Sequence, residues 1–205
     1  MKTKQEVLAF VRHLQHLYWE ERNMEALIPY LDETTSWIGT GRHEICYNLD
    51  EAIQALREQI ESCFLDREMT CGAFILMDLD DFKHINDRYG HLCGDRVLSE
   101  IAEIMKSQTR KSDVTARIGG DEFLAYLPGA TDQIAAEVVR RLQDAVGALH
   151  LDGRTGEIRA SVGASFYPKD GKDYLTLFEK ADKALYFVKE TDKNKYYTYE
   201  MSGGL

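Results

Sequence analysis

The run from Arg117 to Phe123 constrains this chain most, because two adjacent glycines stand between two stretches that favour strands. Val114 to Ile118 and Phe123 to Leu127 are strand-like, and Gly119-Gly120 can take the positive φ angles of a tight hairpin. The hairpin then presents Asp121 and Glu122 where little side-chain bulk keeps a cation or a phosphate-bearing ligand from the backbone. By itself a Gly-Gly-Asp hairpin is ordinarily a solvated turn, so a second feature has to carry the functional reading.

That feature runs from Phe74 to Asp95. An apolar strand, Ala73 to Met77, ends in Asp78, Asp80 and Asp81, followed at once by Phe82, Lys83, Asn86 and Asp87. In α/β proteins the strand end is where ligands bind, and hard oxygen ligands suit Mg²⁺ bridged to substrate phosphates. Strand geometry puts Asp78 and Asp80 on one face and Leu79 on the other. The simpler alternative is that Asp80 or Asp81 caps the short helix that follows.

Lys+Arg 25 against Asp+Glu 35 gives this 205-residue chain a formal charge of −10. An acidic surface argues against nonspecific binding to nucleic acid or to anionic membrane. A polyanionic substrate would need metal ions and a few placed lysines to offset repulsion. Cys46, Cys63, Cys71 and Cys93 show neither C-x-x-C spacing nor a neighbouring histidine pair, and are expected as free thiols. The start MKTKQEVLAF lacks the apolar core of a signal peptide, and no apolar run reaches membrane-spanning length. A reducing cytoplasm is the expected location.

Two parts follow along the chain. From Glu6 to Leu31 apolar residues recur at helical spacing as two amphipathic helices, then TSWIGTG reads as a strand and turn. Asp50 to Phe64 reads as a helix after Asn48, an N-cap candidate. Beyond it, strands at 73–78, 113–118, 122–127, 157–166 and 195–200 alternate with helices at 94–109, 131–148 and 173–190. Helices on one side of a mainly antiparallel sheet make an α+β layer fold.

Six segments in register, DLDDFKHIND (78–87), YGHLCGD (89–95), RKSD (110–113), RIGGDEF (117–123), SVGASFYP (161–168) and ADKALYFVK (181–189), resemble the GGDEF family of diguanylate cyclases. These enzymes condense two GTP molecules into cyclic di-GMP. The resemblance covers about residues 66–205 and implies the palm-like nucleotidyl cyclase fold, a mainly antiparallel central sheet flanked by helices. Residues 1–62 resemble the opening of a SnoaL-like (NTF2-like) α+β domain, through TSWIGTGRHE and the helix after it. They are expected as a small helical packing or dimerising appendage rather than a working sensor.

The resemblance implies the site. Asp78, the Leu79 carbonyl, Asp121 and Glu122 would hold two Mg²⁺ (or Mn²⁺) ions, with Glu122 or Asp121 helping to deprotonate the attacking 3′-hydroxyl. The backbone around Phe82 and Lys83 would bind phosphates at the helix start, with the Lys83 charge added there. Asn86 and Asp95 would recognise guanine. Lys189 and Lys193, i and i+4 if the helix persists, would clamp phosphate. Arg110 and Asp113 match the family's inhibitory product site, although a bare Arg/Asp pair at i, i+3 is more often a surface ion pair. Because each protomer would hold one GTP, a homodimer is implied.

The chain departs from the family at two places. Asp192-Lys193 stands where the family has glycine then arginine, keeping the charge but losing bidentate geometry. The family's D-x-L-T-x-L-x-N-R segment has no counterpart before Asp78, and the helix Asp50 to Phe64 stands at roughly that distance. Besides an active cyclase, this leaves a catalytically impaired module that binds GTP or cyclic di-GMP as a regulator. A third reading is a SnoaL-like ligand-binding or dimerising protein with a passive cyclase remnant.

Overall fold

The computed structural model describes residues 49–64, 70–151, 154–155 and 158–203. The chain divides into two compact units, Met1–Gln54 and Ala55–Leu205. The predicted helices of 6–31, the strand at TSWIGTG and Cys46 lie outside the described residues, so the fold below is that of the second unit.

The described elements are α1 (Leu49–Phe64), whose residues from Ala55 belong to that unit, β1 (Gly72–Leu79), α2 (Phe82–Tyr89), α3 (His91–Gln108), β2 (Val114–Arg117), β3 (Glu122–Pro128), α4 (Asp132–Gly147), β4 (His150–Leu151), β5 (Arg154–Thr155), β6 (Ala160–Tyr167), α5 (Tyr174–Thr191) and β7 (Tyr196–Thr198). Five strands form one sheet in the order β2-β3-β1-β6-β7. Every pairing is antiparallel except β6 with β7, so the sheet is mixed at one edge.

β1 is central, and all eight of its residues are buried, as its unbroken apolar run requires. Ala73, Ile75, Met77 and Leu79 join Phe123, Ala125, Leu127, Val162, Ala164 and Phe166 in one core. Onto that face α3 adds Val97, Leu98, Ile101 and Met105, and α4 adds Val139, Leu142 and Val146. Each such side chain, fully buried, contributes about 1.5–3 kcal/mol of transfer free energy.

The predicted one-sided layering is corrected here, because helices cover both faces. Phe74 on the opposite face meets the rings of Tyr174 and Phe178 from α5. Close packing of α5 depends on Gly163, where a Cβ would lie 2.3 Å from both the Ala181 carbonyl oxygen and the Leu185 nitrogen. Phe64 at the end of α1 stacks on Tyr167 and meets Tyr126 edge-on.

Boundaries differ from the sequence reading where local chemistry intervenes. α3 begins at His91 rather than 94, directly after Gly90 at φ 83°. α4 starts behind Thr131, whose hydroxyl accepts from the Ile134 N–H, and α5 behind Asp173, whose carboxylate accepts from the Thr176 N–H. The predicted 157–166 strand starts at Ala160, and a small β4–β5 hairpin precedes it. Among the described residues no helix is long and apolar enough to cross a membrane, and Cys63, Cys71 and Cys93 form no disulfide.

Candidate active site

Asp78 closes the apolar part of β1 and stands directly opposite Glu122 of β3 on one side and Ser161 of β6 on the other. Directly opposed residues of an antiparallel pair project from the same face, so Asp78 and Glu122 look toward the face that α5 covers. From the last turn of α5, the Lys189 Nζ lies 2.6 Å from the Asp78 Oδ2, the carboxylate side chain being 7% exposed. Burial pushes the Asp78 carboxyl up to about 6; hydrogen bonding and charge from Lys189 oppose the rise, while Asp121 and Glu122 add to it.

The glycine turn is held from two sides. The Arg117 guanidinium donates to the carbonyls of Gly119 (3.1 Å) and Gly120 (2.8 Å from Nη2). The Leu79 N–H donates to the Asp121 carbonyl at 3.2 Å, tying the end of β1 to the turn. The predicted positive φ at Gly119-Gly120 is corrected, since neither residue adopts it; such angles occur at Gly90, Gly129 and Gly203. Steric clearance is what Gly119 provides: a Cβ there would lie 2.5 Å from the Glu122 Oε2.

Past the strand, Asp80 and Asp81 do not cap α2 through their side chains. Asp81 is the N-cap residue, at φ 55° and ψ 31°, without a side-chain cap bond. Its Oδ1 instead accepts from the Lys193 Nζ at 2.7 Å, and that carboxylate holds the lysine ammonium above its ordinary pKa. Asp80 is buried, and its Oδ1 accepts from the Ser161 hydroxyl at 2.6 Å. Phe82 is buried at the start of α2 while Lys83 is exposed beside it. The first N–H groups of a helix are left for outside acceptors.

The condition attached to Lys193 fails, because α5 ends at Thr191 with Asp192 as its C-cap. Lys193 reaches the site from the following loop. Asn86 lies against α3 at Gly94, the residue before Asp95, close enough that a Cβ on Gly94 would be 1.9 Å from its Oδ1.

The Asp121 and Glu122 carboxylates are close enough to Asp78 to add to its cost of ionisation. In this arrangement, no three His, Cys, Asp or Glu side chains among the described residues close up as a cation site. Even so, the donors fit a hard divalent cation: they are oxygens at a strand end, and the ammonium at Asp78 shows that the position accepts positive charge.

Arg110 and Asp113 are not part of this cluster. They sit at the other end of the β2–β3 hairpin, where the Arg110 N–H donates to the Asp113 Oδ2 at 2.7 Å. Both line a cavity of about 410 Å³ with Thr109, Glu137 and Arg141. Sequence reasoning missed Arg141, which α4 brings in and whose Nη2 donates to the Gln108 carbonyl at 2.9 Å. It missed Ser161 also, which nothing local sets apart from Ser165, a second buried serine of the same strand.

The family model "Diguanylate cyclase, GGDEF domain" matches residues 47–195. Diguanylate cyclase A of Treponema denticola is 39% identical over 125 residues, which is 60% of this chain and 34%, about a third, of that protein's length. A solved sensory box/GGDEF family protein from Caulobacter crescentus is similar at 36% identity and a TM-score of 0.61, covering 67% of this chain and 92% of that one. A solved microbial GGDEF domain whose interaction with cyclic di-GMP was described is similar at 27% identity and a TM-score of 0.60, over 73% of this chain and 88% of that one.

Proposed function

Because the chain belongs to the GGDEF diguanylate cyclase family, we propose that it condenses two GTP molecules into cyclic di-GMP. The observation that carries this reading is the buried Asp78 carboxylate facing Glu122 across the strands, with Lys189 closing over it.

Asp78, the Leu79 carbonyl, Asp121 and Glu122 would hold divalent metal, Mg²⁺ or Mn²⁺ and two ions per site. Bound there, metal supplies charge neutralisation at the phosphates and a lowered pKa at the attacking hydroxyl. Glu122 or Asp121 takes the 3′-hydroxyl proton of one GTP as its oxygen bonds the α-phosphorus of the other. The bond from that phosphorus to the bridging oxygen breaks, and pyrophosphate leaves with the electron pair; the second condensation repeats the exchange in the opposite sense. Lys83, Lys189 and Lys193 orient the triphosphate together with the backbone around Phe82. Asn86 and Asp95 orient guanine, and their hydrogen-bonding groups would be left unpaired by adenine.

One GTP per chain makes two facing chains the reactive unit, so the active form is a homodimer. Cyclic di-GMP binding in the Arg110–Asp113 cavity, with Arg141 on its wall, is the feedback site. For residues 1–62 the reading is a SnoaL-like appendage that packs or dimerises, motivated by TSWIGTGRHE. A cytoplasmic location follows from a substrate pool of GTP.

Chromatographic detection of cyclic di-GMP, with pyrophosphate release followed in Mg²⁺ and in Mn²⁺, tests the activity. Product should form, and Asp121→Ala or Glu122→Ala should abolish it. A chain that binds cyclic di-GMP yet makes none at high protein concentration would be the regulatory binding module instead.

A further inference from the structure

Ser161 is fully buried in β6, directly opposite Asp78. Its hydroxyl is used in both directions, donating to the Asp80 Oδ1 at 2.6 Å and accepting from the Asn194 N–H at 3.1 Å. Those partners belong to two different segments of the site. Asp80 lies in the turn between β1 and α2, next to Asp81, Phe82 and Lys83. Asn194 follows Lys193 in the loop between α5 and β7, and holds φ 61°, a left-handed conformation that a non-glycine residue keeps where its surroundings fix it.

The same loop is fastened once more by the Val162 N–H donating to the Lys195 carbonyl at 2.9 Å. Lys193 is therefore bracketed by Asp192, where α5 ends, and by two residues bonded to β6. The Asp80 carboxylate depends on Ser161 as well, since its Oδ2 is buried without a hydrogen-bond partner. Loss of the hydroxyl would leave a buried carboxylate and a backbone N–H short of a partner, and such groups move toward water where the chain allows it.

We propose that Ser161 is a positioning residue for substrate binding, its hydroxyl clipping the loop that carries Lys193 to the turn that carries Asp80 and Asp81. The clip rests on the reading of Lys193 as a phosphate contact. It sets the spacing between the lysine and the N-terminal turn of α2, and so the width of the space that the triphosphate enters. A hydroxyl that served stability alone would give a different pattern, a lower melting temperature with unaltered dependence on GTP.

GTP saturation kinetics of the 205-residue chain separate these. Ser161→Ala should raise KM about fivefold to tenfold, the effect of one lost buried hydrogen bond, while kcat stays within about twofold. Lys193→Ala raises KM on its own account, and adding Ser161→Ala to it should bring no further rise, because the clip then has nothing to position. Asp80→Ala cuts the same bond from its other end and should reproduce the Ser161→Ala pattern, which keeps the test available if the serine variant does not fold. An unchanged KM in the serine variant, or an equal rise in the presence and absence of Lys193, overturns the clip alone. A wild-type chain that neither binds nor turns over GTP overturns the clip together with the reading beneath it.

Discussion

Asp78 and Lys189 form an ion pair at 2.6 Å in which the carboxylate is almost entirely buried and the ammonium is about a third exposed. The lysine is thus both the present counter-charge of Asp78 and a candidate contact for substrate phosphate. Lys189→Ala should act in opposite directions on two ligands. Mn²⁺ binding in the absence of nucleotide should strengthen several-fold as the competing cation is removed, while KM for GTP should rise about tenfold for a lost charge-assisted contact. Mn²⁺ titration and GTP kinetics on the same protein check both signs, and a parallel weakening of the two would contradict the double role.

The elevated Asp78 carboxyl makes stability depend on pH in a stated direction. In the folded chain it titrates at about 6 rather than the ordinary 3.8. Between those values the unfolded chain has released a proton that the folded chain still holds, so stability falls as pH rises through that interval. Above it both forms are ionised and the penalty stays constant. Thermal unfolding of chelator-treated protein should show Asp78→Asn gaining on the wild type as pH rises from about 4 to about 6, then holding a constant lead. A difference that is flat across the whole range would contradict the assignment.

Much of the sheet is legible in sequence because its strands carry distinct patterns: an unbroken apolar run at β1 and a glycine-delimited hairpin at β2–β3. The position of α5 is not legible in the same way. Its buried residues Leu177, Ala181, Ala184, Leu185 and Val188 report helical periodicity but not which sheet face receives them. That choice is made at Gly163, whose missing side chain admits the α5 backbone. The end of α5 carries no glycine or proline stop, so Lys193 reads as helical when it belongs to a loop. Asp78, Asp121 and Glu122 can be named from motif order, whereas the Ser161–Asp80 bond joins residues 81 positions apart and has no local trace. The β4–β5 hairpin did have one, the Asp152-Gly153 dipeptide between its strands.

Gly119 and Gly120 separate by what each leaves room for. A methyl group on Gly119 meets the Glu122 Oε2 at 2.5 Å, while at Gly120 nothing lies within 4 Å. Because the obstructed atom ends a flexible side chain, Gly119→Ala should fold but swing Glu122 aside, lowering turnover by about tenfold or more for a misplaced catalytic group. Melting temperature should barely move for either alanine variant. Equal activity of Gly119→Ala and wild type would show that the Glu122 position seen here is not the working one.

Gly163→Ala should behave in the reverse manner. The added Cβ would meet backbone atoms of α5 at 2.3 Å, and neither is the end of a flexible side chain. Overpacking of this kind costs about 1–3 kcal/mol or more. The helix that must retreat also carries Lys189, so denaturant unfolding should show lost stability and GTP kinetics a raised KM in the same variant. Lost stability with normal KM would mean that the helix end is held independently of its packing at Gly163.

On the reading of Lys193 as a phosphate contact, Asp81 competes with substrate for it. At 2.7 Å, Lys193 is half-exposed and Asp81 about two-thirds exposed, so solvent screens the pair strongly. Asp81→Asn removes the charge while keeping a residue type that tolerates the left-handed backbone at φ 55°. KM for GTP should therefore fall by about twofold to fivefold at low ionic strength. The advantage should shrink as salt screens both the ion pair and the phosphate contact. Measuring KM for both proteins across a salt series decides the matter: a raised KM in Asp81→Asn would mean that the aspartate helps to position the lysine rather than withholding it.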